Sequence, residues 1–344
     1  MNNLDPITYA DTAYTAEQAH WPRPEPDQRS RRFRMTAASG QQLPRRCPTV
    51  DLFPLQDLQK LPPRQLRENE ENTRDQPANN TSPRPRERPG FPIRWDEECL
   101  RYTSLSRLNF IVGIIRLTGW AGVVGMFPIS ILSSLLLIQT DHSAGRGDSF
   151  SSLATSFYYW EIPFWIAVVS PVLWGGANLI YRLFPSVGGL QRGPQWELNR
   201  RTGNVIVYDN PRRRKTAWKI LHGRPFREFD CHLQSTPSHQ GLPQYSLSLV
   251  HYSRDIHVPI AGMFGATGHV DQRATWDMIQ RFMDTSQPLP DTPMWEKFRP
   301  LDPTTLEHDR QTGRPPRYWR DMDDETFSQV LLEHQDRLNL HYRR

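Results

Sequence analysis

"RLTGWAGVVGMFPISILSSLLLIQTD" (residues 116–141) decides how this chain is read. Residues 117–138 carry no charge, in a protein of 344 residues whose mean hydropathy is −0.66. A helix rises about 1.5 Å per residue, so this run spans roughly 33 Å. The hydrocarbon core of a bilayer is about 30 Å thick. The run therefore reads as a transmembrane helix rather than the central helix of a soluble domain. A second uncharged run, "IPFWIAVVSPVLWGGANLIY" (residues 162–181), follows after a short polar loop. Together they predict a two-helix transmembrane hairpin over 94–185.

The flanks orient it. Arg101, Arg107 and Arg116 precede the first run, and Arg182, Arg192, Arg200 and Arg201 follow the second, while the loop between holds only Arg146. Positive charge favours the cytoplasmic side, and Tyr158, Tyr159, Trp160, Trp165 and Tyr181 fall where interfacial aromatics belong. The expected topology has both termini in the cytoplasm, at a bacterial inner membrane. No secretory signal is read at the N-terminus. Pro128 and Pro171 fit mid-membrane kinks. Small residues recur at Ala121 and Gly125, Ser130 and Ser134, and Ala167, Pro171 and Gly175. They suit either packing within the hairpin or homo-oligomerisation. Arg116 and Glu161 lie at opposite interfaces and cannot pair. Two spans are too few for a transporter on their own.

Residues 1–93 hold 14 of the 31 prolines, mixed with charges and few apolar side chains. That composition predicts a disordered cytoplasmic tail. An apolar island at 49–61, "TVDLFPLQDLQKL", is either a docking motif or an ordinary linker patch. After the hairpin the period changes to two. "WELN", "NVIVY", "TAWKIL", "FREFDCHL", "QYSLSLVHY" and "DIHVPIAGMF" read as about six antiparallel strands. "RATWDMIQRFMDT" follows as a helix with Trp276, Ile279, Phe282 and Met283 on one face. The expected fold class is thus an α+β membrane protein with a cytoplasmic antiparallel β-domain (193–287) capped by a helix. The order resembles a pleckstrin-like half-barrel, with strand pairing left open. A Pro-rich linker and a last helix, from Asp321 to about His341, complete the expectation for 288–344.

No catalytic constellation is found. Cys47, Cys99 and Cys231 lie far apart and imply no disulfide framework. Cys231 and His232 are strand neighbours, which point to opposite faces. "GMFGATGH" lacks the Gly-Lys-Ser/Thr of a phosphate loop and reads as a turn. No metal and no cofactor is expected. The turn "NPRRRKTAW" is the most suggestive feature: Arg212, Arg213, Arg214 and Lys215 are a candidate contact for anionic lipid or an acidic partner, against a plain solvated loop. Net charge of +5 is too modest to argue for nucleic acid.

The two spans, "WELNRRTGNVIVY", "TAWKIL" and "ATWDMIQRFMDTSQPLP" ending in a Trp together resemble an uncharacterised family of two-span bacterial membrane proteins. The likeness covers about 95–295. Members of that family tend to be encoded beside type VI secretion effectors and their adaptors, and no catalytic residues carry over. The resemblance implies an inner-membrane accessory or immunity-type protein that binds a toxin or adaptor through its cytoplasmic domain. A membrane-disrupting secreted effector is the alternative it leaves open, and a membrane-anchored enzyme a more distant one.

Overall fold

The computed structural model describes residues 8–23, 40–46, 51–74, 91–145, 154, 156–184, 189–213, 215–238 and 240–342. It is an α+β structure of two compact units: residues 104–191 form one, and the chain on either side of them forms the other.

The inserted unit holds α3 (Arg107–Ala121), a π-helical turn (Gly122–Met126), α4 (Phe127–Ser143) and α5 (Phe157–Leu183), while α1 and α2 lie upstream at Leu55–Gln59 and Pro63–Arg74. Two helices here are long and apolar enough to cross a membrane, Leu108–Ser143 and Phe157–Leu183. Both exceed the expected spans at each end. Only 22% and 11% of their most apolar stretches are buried, where a soluble core helix would be mostly buried. The π turn has a local cause. Pro128 has no N–H to give the preceding turn, so the ladder widens and Phe127 N–H reaches back five residues to the Gly122 carbonyl.

The helices meet at Gly119 and Gly122. A Cβ at Gly119 would lie 2.5 Å from the Trp174 amide nitrogen, and one at Gly122 would collide with the Ser170 hydroxyl. Ser134 Oγ donates to the Tyr159 carbonyl at 2.6 Å, and Tyr181 Oη to Asn109 Oδ1 at 2.8 Å. The expected stripes are met in part: Ser130 and Ser134 are buried, as is Ser170, while Gly125 and Gly175 face open space. Close approach needs a residue without Cβ where the axes cross, and the crossing falls at Gly119 and Gly122.

The other unit is built on two antiparallel sheets. One has the order β2 (Arg94–Trp95), β3 (Cys99–Tyr102), β4 (Trp196–Asn199), β5 (Asn204–Tyr208), β6 (Ile220–Pro225). The second has the order β1 (Gly40–Leu43), β7 (Phe229–Pro237), β8 (Pro243–His251), β9 (His257–Pro259). Helices α6 (Ala261–Phe264), α7 (His269–Met283), α8 (Pro303–Thr312) and α9 (Asp324–Tyr342) follow. Trp196, Val205, Leu247, Leu249, Ile256, Val258, Trp276 and Phe282 are buried in one core, with Val207 packed on it. The strand expected at 216–221 begins later: residues 215–218 turn, and β6 starts at Ile220.

Three boundaries are corrected. First, the β-domain does not start at 193. Leu100 pairs with Leu198 and Tyr102 with Trp196, so the hairpin is an insertion between two neighbouring strands. Second, the described part of 1–93 is not a tail. Tyr14, Leu43, Leu52, Phe53 and Leu58 are buried, and β1 extends the second sheet along β7. Residues 1–7, 24–39, 47–50 and 75–90 lie outside the described residues. Third, 288–316 is no linker. Leu289, Trp295 and Thr305 are fully buried, and Arg299 donates to the Leu289 carbonyl and pairs with Asp309. Prolines set the bends while paired charges let the segment pack.

The apolar island at 51–61 is occupied within the chain itself. Phe53 stacks on His334 of α9 at 4.2 Å, and His334 Nε2 donates to the Phe53 carbonyl at 2.7 Å. Burial depresses the His334 pKa below its ordinary value. A depressed pKa means that the unfolded chain takes up a proton which the folded chain refuses. The resulting stability is intact above about pH 6.5 and declines as pH falls through that value. Thermal midpoints in detergent should drop between pH 7.5 and 5.5. His334→Gln, which keeps a donor for Phe53, should show a smaller drop. An equal drop in both proteins would assign the acid sensitivity to other groups.

Candidate functional site

The basic turn connects β5 to β6. Asn210 Oδ1 accepts from Arg212 N at 3.1 Å, and the Arg213 carbonyl accepts from Thr216 N and Ala217 N at 3.0 and 2.8 Å. The backbone is thus a closed turn, and the side chains are left outside. Arg212, Arg213, Lys215 and Lys219 are exposed and form no ion pair among the described residues. Arg214 lies outside the described residues.

Trp218 follows the turn. Its ring lies 5.4 Å from the Arg101 guanidinium and edge-on to Tyr208 at 6.2 Å. Both supporting groups bond to the buried Glu197, from Arg101 at 2.6 Å and Tyr208 at 3.0 Å. Asn199 donates to the other carboxylate oxygen at 2.8 Å. Burial beside Glu197 pushes the Tyr208 hydroxyl up, so it stays a donor. This buried cluster of Arg101, Glu197 and Tyr208 holds Trp218 in place, and sequence reasoning passed over it. Its signal is charge inside two strands, which is costly unless paired.

The motif "NRRTG" is structural. Asn199 Oδ1 accepts from Thr202 N at 2.9 Å, closing the β4–β5 turn, and Gly203 has φ +68°. Arg200 points inward and is fully buried. It pairs with Asp302 at 2.9 Å and donates to the carbonyls of Phe282 (2.5 Å), Asp284 (2.9 Å) and Gln287 (2.8 Å). One side chain thereby ties the hairpin turn to the end of α7 and to the start of α8.

A depression of about 550 Å³ lies where β1 meets β7 and is lined by Trp21, Arg23, Arg45, Asp230, Cys231 and Trp276 among others. Its cations are engaged internally. Arg23 pairs with Asp230 at 2.8 Å, and Arg45 donates to the Phe226 carbonyl at 3.1 Å and to that of Phe229. The cleft reads as the seam that seats the N-terminal segment. Burial pushes the thiols of Cys99 and Cys231 well up, which makes both poor nucleophiles; Cys47 lies outside the described residues. Cys231 sits in the main core beside His232, and among the described residues no group of three or more His, Cys, Asp or Glu is placed to hold a metal. In "GMFGATGH", Gly262 packs flat against the Tyr102 ring and Gly265 (φ +80°) ends α6.

No family model, no curated protein and no solved structure matches this chain.

Proposed function

We propose that the protein is a membrane-anchored binding module whose hairpin crosses the bacterial inner membrane and whose β-domain works on the cytoplasmic side. The pairing of β3 with β4 carries the reading. Strands that share a sheet lie on one side of a bilayer, so the segment between them crosses an even number of times. It contains two helices of sufficient length. Arginines on both flanks favour the cytoplasm for the sheet and for both termini. The β-domain itself runs β3 to β6 and then β7 to β9 before α7 caps it. That order supports a pleckstrin-like half-barrel with its β3–β4 loop replaced by the hairpin and with β1 and β2 added at the sheet edges.

In this reading the anchored domain holds a protein partner close to the membrane. The resemblance of the motifs suggests a toxin or adaptor of a type VI secretion locus, with the protein in an accessory or immunity role. Reporter fusions test the topology. A fusion at Gly147 should report periplasmic and one at Arg344 cytoplasmic; a cytoplasmic signal at Gly147 removes the hairpin. Expression in a susceptible host tests the role. Protection against the neighbouring toxin supports immunity, whereas toxicity of this protein alone favours a membrane-disrupting effector.

A further inference from the structure

We infer that Trp218, Ile220 and Leu221, set beside the basic turn, form a wedge that enters the headgroup region of an anionic leaflet. The inference rests on the membrane-anchored reading above and names what its basic turn touches.

Position comes first. Turns of an antiparallel meander alternate between its two ends, so the β3–β4 and β5–β6 connections leave the same end. The first connection is the apolar insertion, and the second is the basic turn. Contacts within the sheet unit fix this. Gly193 N donates to the Pro211 carbonyl at 3.2 Å, and Thr103 Oγ1 donates to the Gly193 carbonyl at 2.7 Å. A Cβ at Gly193 would strike the Ala217 carbonyl. The basic turn is therefore stitched to the two points where the chain leaves for, and returns from, its apolar helices.

Chemistry comes second. Trp218, Ile220 and Leu221 are 39%, 55% and 54% exposed, and the strict alternation of faces is broken here, because Ile220 stands opposite Tyr208 and His222 opposite Val207, which leaves Leu221 as the extra residue of a bulge. Other exposed large apolar side chains of this unit, such as Leu242 and Leu306, stand apart in sequence. An exposed apolar cluster marks an interaction surface. Around this one stand Arg212, Arg213, Lys215 and Lys219, and the one acid of the segment 209–221, Asp209, bonds to the Asn210 amide at 2.7 Å. Cations alone would suit an acidic protein. Cations beside a fixed Trp and two aliphatic side chains suit a surface where phosphates give way to acyl chains. Arg101, paired with Glu197 at 2.6 Å, lies 5.4 Å from the Trp218 ring and fixes its place beside the turn.

The test uses the full chain in nanodiscs of phosphatidylcholine, with and without phosphatidylglycerol, and hydrogen exchange of residues 210–222. Exchange should slow about tenfold in the anionic discs at low salt and recover at high salt, where charges are screened. Ile220→Ser with Leu221→Ser should abolish the slowing, as should Ser at all four of 212–215. Unchanged exchange of β4 and β5 shows that the variants are folded. Equal exchange in both lipids, with the protein incorporated, overturns the wedge. Failure to incorporate overturns the hairpin instead. Protection in pure phosphatidylcholine discs by added polyglutamate, or by inorganic phosphate, assigns the surface to an acidic partner or a free anion and likewise overturns it.

Discussion

Arg200→Met should lower the stability of the sheet unit by about 3–5 kcal/mol, the cost of breaking a buried ion pair from one side. In thermal unfolding followed by tryptophan fluorescence in detergent, that is a fall of roughly 6–20 °C for a unit of this size. The reason is accounting of partners. Arg200 is fully buried, and its guanidinium serves Asp302 and the carbonyls of Phe282, Asp284 and Gln287. Met fills similar volume but leaves the buried Asp302 carboxylate without its counter-charge and takes a donor from three carbonyls, although Tyr9 Oη and Thr305 still donate to Asp302. Asp302 also caps α8, accepting from Thr305 N at 3.1 Å. Asn at 302 keeps an acceptor for that cap without the charge. Arg200→Met with Asp302→Asn should therefore recover part of the loss. Arg200→Lys should fall between, because one ammonium cannot reach acceptors spread over three directions. A midpoint for Arg200→Met within 2 °C of the parent would show that the side chain is not buried as described.

The two long apolar helices were legible because each is a long uncharged run, and a local property decides it. Strands β4, β5 and β8 were legible because one face of each is apolar at period two. What escaped depends on partners far away in the chain. β2 and β3 are short and carry Arg94 and Arg101, whose charges hide a strand until Asp96, Glu98 and Glu197 are seen beside them. The N-terminal region looks like a tail because composition averages Tyr14, Phe53 and Leu58 over many prolines and charges. Tyr14 packs on Phe226 and Phe53 on His334, each more than a hundred residues away, and Leu58 joins the same core. The same averaging made a linker of 288–316, where Arg314 is neutralised by Asp291 at 2.7 Å and Glu296 accepts from Trp319 N at 2.6 Å. The basic turn was found by charge density, which is local. That it shares an end of the sheet with the insertion depends on the pairing of β3 with β4, and no stretch of sequence states that pairing. Arg200 shows the limit most sharply: an arginine in a turn is ordinarily solvated, and only the tertiary fold reveals that this one points inward.

Gly203→Val should release the N-terminal segment, and limited proteolysis in detergent should show it as a cut within residues 8–23 that the parent resists. Two independent costs meet at this glycine. Its φ of +68° costs an L-residue about 1–2 kcal/mol, more for a β-branched one. A Cβ there would also lie 2.5 Å from the Thr12 carbonyl oxygen and 2.6 Å from the Tyr14 amide nitrogen. Backbone cannot rotate away as a side chain can, so the segment must lift. The bonds that seat it next to this glycine are Ala10 N to the Arg201 carbonyl at 2.9 Å, Thr12 Oγ1 to the Thr202 carbonyl at 2.9 Å and Thr285 N to the Tyr14 carbonyl at 2.9 Å, while Tyr9 Oη to Asp302 at 2.6 Å and Arg23 to Asp230 at 2.8 Å hold it farther out. At about 1 kcal/mol each, the bonds nearest the clash do not hold residues 12–14 down once Tyr14 is pulled from its edge contact with Phe226 at 5.1 Å, so the cut falls there even where the outer bonds persist. Gly203→Asn separates the two costs, since Asn tolerates the left-handed region yet still carries a Cβ. Release in the Asn variant identifies the close approach as the cause. Resistance in Asn with release in Val identifies the dihedral. If the parent is cut within 8–23 as fast as the Val variant, the segment is not seated on the β4–β5 turn, and the tail read from composition stands.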